Sequence, residues 1–193
     1  EYPEFDLDRK SSLRQLADAA GKDPVDIYVE RLLESEGREF WNMWAFGGAL
    51  ENQWKYMQLP HVIPMLGDAG AHVGQFTDAD SPTFLLSELT RKRGVYSLPE
   101  AVHRITGQSA TVLGLKERGE VREGFHADLN VIDYEELRSC HPEYLNDFPH
   151  NGGRIVVKSV GYDATIVGGR VIIDHGVFTG QRPGQVIREF QRG

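Results

Sequence analysis

Asp68 and His72 stand four residues apart in Gly67-Asp-Ala-Gly-Ala-His72, directly after the apolar run Val62 to Leu66. A carboxylate and an imidazole are the side chains most often used to take and return protons. The small residues around them let other groups approach the backbone closely. An apolar run bounded by Gly reads as a buried strand, although periodicity alone also allows a helical segment. If that strand belongs to a parallel barrel, Asp68 falls at its C-terminal end, where barrel enzymes carry their chemistry. The same aspartate also suits a plain turn or a cap on the next element.

The elements that would position this stretch follow from capping and periodicity. Ser11 or Ser12 caps a helix carrying Leu13, Leu16, Ala17 and Ala20, which Gly21 ends. Asp23 then has the N-cap position and Pro24 the first helical position of a second helix, with Val25, Val29, Leu32 and Leu33 at helical spacing. Glu39 to Phe46 is rich in aromatics and predicts a buried strand, ended by Gly47-Gly48. Leu50, Trp54, Met57 and Leu59 predict a further helix before the strand at 62–66. Helix, strand, helix, strand is the order of a parallel α/β architecture.

Beyond the Gly-rich turn, Thr83–Arg93 predicts a helix with Phe84, Leu85, Leu86 and Leu89 buried. Ser97 and Glu100 have capping-box spacing and open another, which Thr106-Gly107 interrupts before a last helical turn, Ser109–Leu113. The pattern changes near residue 116 to short β runs at 128–132, 155–160, 165–167 and 171–174. Val167-Gly-Gly-Arg-Val171 reads as a hairpin, and Asp174-His-Gly176 as a second turn. The tail from Thr179 is punctuated by Gly and Pro and is expected to pack on the surface.

Composition excludes several roles. The 193 residues carry a formal charge of −8, and the longest basic run is Arg91-Lys-Arg93, which argues against a nucleic-acid surface. One cysteine, Cys140, forbids an internal disulfide and an all-cysteine zinc site, and fits a reducing, cytoplasmic setting. No run is long and apolar enough to cross a membrane, so no membrane partner is expected.

Residues 97–133 carry a composite pattern: Ser97-Leu-Pro-Glu-Ala-Val-His-Arg-Ile-Thr106, Leu113-Gly-Leu115, Gly119-Glu-Val-Arg-Glu-Gly124 and Ala127-Asp-Leu-Asn-Val-Ile-Asp133. This resembles the C-terminal portion of metal-dependent amidohydrolases. The run Val167-Gly-Gly-Arg-Val171, Gly176, Thr179-Gly180 and Arg182 to Arg188 resembles the N-acyl-D-amino-acid deacylase (D-aminoacylase-like) branch. The resemblance implies an α/β fold: residues 1–115 as the last strands and helices of a TIM (β/α)8 barrel, and 116–193 as part of a small β-sandwich domain. A complete barrel needs about 250 residues. The chain, opening on Glu1, therefore reads as the C-terminal third of a longer enzyme, inactive in isolation.

The resemblance also implies the chemistry. The family's aspartate at the end of the last barrel strand corresponds to Asp68, as general base and acid toward a metal-activated water and as a metal ligand. The implied metal is zinc, with most of its ligands outside this chain. His72 is implied either as a substrate-binding residue, one that also steadies Asp68, or as an ordinary loop histidine. D-aminoacylases carry an arginine beyond the aspartate that holds the substrate carboxylate; the loop from His72 to Pro82 has none. The other histidines share no ligand spacing.

The expected partner is a small-molecule amide, foremost an N-acyl-D-amino acid. A cyclic amide, as in dihydropyrimidinase-like relatives, and a non-catalytic packing or oligomerisation module are the alternatives. An open barrel fragment exposes strand edges, so self-association is expected of it.

Overall fold

The computed structural model describes residues 12–41, 50–64, 70–74, 79–188 and 190. The chain divides into two compact units, one ending at Lys55 and the other running from Tyr56.

In the first unit, α1 (Leu13–Ala20) and α2 (Pro24–Glu34) form a helical pair. The Ser12 hydroxyl accepts the amide of Gln15, and Gly21 closes α1 in a left-handed conformation at φ 65°. Asp23 then caps α2 by accepting the Val25 amide at 2.8 Å. These are the capping roles that the two start signals predict. Ala17 and Ile27 are buried. The strand expected over 39–46 does not form over Glu39–Trp41, and its remainder lies outside the described residues.

A third helix, α3 (Leu50–Met57), leads to the second unit. There, α4 (Ser81–Phe84) runs on as a π-helical stretch, Leu85–Lys92. It buries Leu85, Leu86 and Leu89 at 1–3% exposure. After Ser97, whose hydroxyl accepts the Glu100 amide, α5 (Leu98–His103) passes through a second widened stretch, Arg104–Gln108, into α6 (Ser109–Leu113). Thr106-Gly107 therefore widens the helix rather than interrupting it. The hydroxyls of Thr90 and Ser109 each bond the carbonyl five residues back, at 2.8 Å, in keeping with the wider helical repeat.

Among the described residues, strands begin only at Leu129. The run expected as a strand at 62–66 is irregular over Val62–Pro64, and its end lies outside the described residues. The strands are β1 (Leu129–Ile132), β2 (Arg138–Ser139), β3 (Glu143–Phe148), β4 (Gly152–Val156), β5 (Ser159–Val160), β6 (Tyr162–Val167), β7 (Arg170–Asp174) and β8 (Val177–Phe178). One antiparallel sheet has the order β1-β6-β7-β8, and β2-β5 and β3-β4 form two-stranded ribbons.

Val167 pairs with Arg170 across Gly168-Gly169, both at positive φ (54° and 75°). Asp174 pairs with Val177 across His175-Gly176, also both at positive φ. Two left-handed residues make the type I′ turn whose twist suits a tight hairpin.

The helices of this unit are fastened to its strands by polar contacts. The Thr83 hydroxyl lies 3.1 Å from the Ser159 hydroxyl and 3.0 Å from that of Tyr162. Arg91 donates to the carbonyls of Tyr134 and Leu137, and Leu137 is fully buried. The chain is thus a mixed helix-and-sheet protein: among the described residues its α- and π-helical stretches end at Leu113, and strands run from Leu129 with one 3-10 turn, Pro149–Asn151, between β3 and β4.

Candidate functional site

Asp68 lies outside the described residues. The chain on both sides of it is described, and each side is held by a different element.

On the approach, one guanidinium gathers the backbone. Arg104 is buried, with its side chain 7% exposed. Its Nη1 donates to the carbonyls of Met57, Leu59 and Val62 at 2.9, 3.3 and 3.0 Å, and its Nη2 to that of Gln58 at 3.0 Å. Glu100, one helical turn earlier, takes Nε and Nη2 at 3.3 and 3.2 Å and supplies the countercharge. The Tyr96 ring lies under the guanidinium, 5.0 Å from centroid to Cζ. Burial pushes the Tyr96 phenol above its ordinary pKa, with Arg104 pulling the other way. Gln108 adds a bond to the Pro60 carbonyl at 2.9 Å, and Gln58 reaches the Val95 carbonyl at 2.9 Å. A planar fork with five donors can serve several carbonyls at once, which the point charge of a lysine cannot.

On the far side, the Ile155 amide of β4 donates to the Val73 carbonyl at 2.7 Å. Gly74 lies beside the Gly153 carbonyl. Residues 73–74 thus lie along the free edge of β4. The Tyr144 side chain crosses over Gly153 from β3, so a Cβ at 153 would displace that ring. His72 is exposed and left-handed at φ 51°, an uncommon backbone state for a residue with a side chain. The adjoining β3–β4 turn has the same feature at His150 and Asn151 (φ 58° and 60°).

Among the described residues, no group of three or more His, Cys, Asp or Glu side chains could hold a metal ion. The described part of the chain does not fit a metal cage by itself.

A concavity of about 430 Å3 is lined by Arg118, His126, Asp128, Arg170 and Gln185 among others. Two of its polar groups, Asp128 and Arg118, are engaged in holding the sheet. Asp128 pairs with Arg118 and accepts the Gly168 amide at 2.8 Å, while Gly169 donates to the Ala127 carbonyl at 3.0 Å. The motif Ala127-Asp128 and the Gly-Gly turn, forty residues apart, are therefore one structural joint. That joint gives a physical reason for the pairing of these two motifs.

The sequence reading singled out the turn and the 97–106 motif separately, and missed that Arg104 joins the motif to the segment leading to that turn. Nothing in the spacing of Ala-Val-His-Arg-Ile-Thr106 marks its arginine as buried. The strand β3 was missed as well, because Glu143–Phe148 (Glu-Tyr-Leu-Asn-Asp-Phe) has too few apolar residues to alternate clearly. The single run expected at 155–160 is the end of β4 and β5, with a break at 157–158.

Comparison with known proteins agrees with the motifs. Residues 43–173 match the model of the Amidohydrolase family. An N-acyl-D-aspartate deacylase of Alcaligenes xylosoxydans xylosoxydans is 36% identical over 105 residues, 54% of this chain and 19% of that protein. A D-aminoacylase of the same organism is 31% identical over 103 residues, 53% of this chain and 19% of that protein. Among solved structures, a D-aminoacylase described as defining a novel subset of amidohydrolases aligns with a TM-score of 0.41 at 31% identity, covering 52% of this chain and 19% of that one. The chain spans about a fifth of the length of the curated relatives it matches. With more than half of its residues inside the family match, the chain belongs to the amidohydrolase family.

Proposed function

We propose that this chain is the C-terminal portion of a longer hydrolase that cleaves the amide bond of N-acyl-D-amino acids. The observation that carries this reading is the 36% identity to the N-acyl-D-aspartate deacylase. The same reading assigns residues 1–115 to the end of a TIM barrel and 116–193 to part of a β-sandwich.

Asp68 is the proposed proton carrier. Its carboxylate takes a proton from water as the water oxygen bonds to the amide carbonyl carbon. It returns that proton to the nitrogen as the C–N bond breaks, leaving a carboxylic acid and a free amine. His72, four residues on, is proposed to hydrogen-bond the substrate. Zinc, the metal proposed for the whole protein, polarises a carbonyl oxygen and acidifies bound water when present. Apart from Asp68, its ligands are assigned to the remainder of the longer protein.

Replacing Asp68 by Asn in the full-length protein tests this reading. Turnover of an N-acyl-D-amino acid should fall by roughly 10²–10⁴-fold, the usual contribution of a positioned acid–base group, with folding intact by circular dichroism. Near-normal turnover would remove Asp68 from the mechanism. Preferential hydrolysis of a cyclic amide such as dihydrouracil would overturn the substrate class.

A further inference from the structure

We infer that the concavity lined by Arg118, His126 and Arg170 is a binding site for a small oxyanion, the carboxylate or phosphate group of a small molecule. The inference stands apart from the hydrolytic chemistry and does not use Asp68.

The chain carries a formal charge of −8, yet this concavity is locally cationic. Arg118 and Arg170 line it against a single carboxylate, Asp128. Both oxygens of that carboxylate are already taken, Oδ2 by Nη1 of Arg118 and Oδ1 by the Gly168 amide. The other two guanidinium nitrogens of Arg118 have no partner among the described residues. Its side chain is 23% exposed, so these donors are partly withdrawn from water, where attraction for an anion is stronger.

Arg170 opens β7 and is exposed. Its Nη1 makes one long bond, 3.4 Å, to the Gln181 side chain, which leaves most of the fork available. A guanidinium presents parallel N–H donors that match two oxygens of a carboxylate or phosphate. The His126 imidazole and the Gln185 carboxamide line the same space and have no side-chain partner among the described residues. Successive left-handed residues such as Gly168 and Gly169 often form an anion-binding nest of amides. Here those amides are occupied by Asp128 and the Ala127 carbonyl, so the donors must be side chains. A volume of about 430 Å3 lies within the range of small-molecule sites, roughly 300–1,000 Å3. Pro183 and Gln185 give the Arg182–Arg188 motif a role as part of its wall.

The test is isothermal titration of the full-length protein with inorganic phosphate and with acetate, at constant ionic strength made up with chloride. The readout is the component of binding that R170Q removes, which separates this site from anions held elsewhere in the longer protein. R170Q should weaken that component about 10-fold, the scale of one charge-assisted hydrogen bond. Tighter binding of phosphate than of acetate would assign a phosphoryl ligand, and the reverse order a carboxylate. No saturable binding of either anion, or equal affinity in wild type and R170Q, would overturn the inference. If R170Q does not fold by circular dichroism, H126Q carries the test with an expected loss of about threefold. Unchanged affinity there has the same meaning.

Discussion

The backbone amide of Ile155 donates to the carbonyl of Val73 at 2.7 Å, which adds the turn following Asp68 to the edge of β4. Ile155 is also in register with Tyr144 of β3. Its N–H faces the turn and not the β3 ladder. Proline at 155 deletes that donor while leaving the β3 bonds in place, as edge positions allow. We expect I155P to cost about 1–3 kcal/mol, the range for a part-buried carbonyl left without its donor. Amides of residues 70–74 should exchange faster by mass spectrometry. Unchanged exchange there would mean the turn is held some other way.

The hydroxyl group of Thr83 meets both Ser159 and Tyr162, and Thr83 is 3% exposed. Valine at this position keeps the shape and removes the shared partner of two hydroxyls. The expected loss is about 1–3 kcal/mol, read as a drop in the urea midpoint with an unaltered slope. A T83S variant should recover most of it, since the hydroxyl returns.

Asp128 accepts the Gly168 amide and pairs with Arg118. D128A leaves a turn amide and a half-buried guanidinium without that acceptor. Its expected cost is about 1–2 kcal/mol, discounted for the solvent that reaches both groups. NMR shifts should change at Gly168 and Gly169 and stay put in α1 and α2. Changes spread through the helices would disprove the local joint.

On the β3–β4 ribbon, Arg154 holds Asp147 with two bonds at 2.7 and 2.6 Å, which lower the carboxyl pKa and raise that of the guanidinium. A carboxylate with a lowered folded pKa stabilises the fold above its ordinary pKa. That contribution is lost as pH falls through the lowered value. The Asp147 carbon shift should therefore titrate below the ordinary aspartate range, and the difference should shrink in high salt because the pair is exposed. D147N should abolish the pH dependence assigned to this pair.

What the sequence disclosed depended on the range of the interaction. Ser12, Asp23 and Ser97 were legible as caps because the amides they accept lie two or three residues away. The two type I′ turns were legible for the same reason. The clamp made by Arg104 was not, because the carbonyls it bonds lie 42–47 residues earlier in the chain. The apolar run at Val62 looked like a strand from its side chains, yet the Val62 carbonyl is taken by that arginine rather than by a neighbouring strand. At the candidate site, the residue types were readable from Gly67 to His72, while the two anchors on either side are tertiary.

The two arginine clamps, buried Arg104 and half-buried Arg91, face opposite ways along the chain. Arg104 bonds carbonyls that precede it, whereas Arg91 bonds the carbonyl of Leu137, 46 residues ahead. On a ribosome adding roughly 5–20 residues per second, Arg91 is made some 2–9 s before that acceptor exists. During this interval Leu137, fully buried in the folded chain, is also missing. The helix 81–92 is thus made before the loop that completes its surroundings, and Arg104 can close on finished chain as soon as it emerges. Nascent chains stalled short of Leu137 should be the ones that chaperones retain.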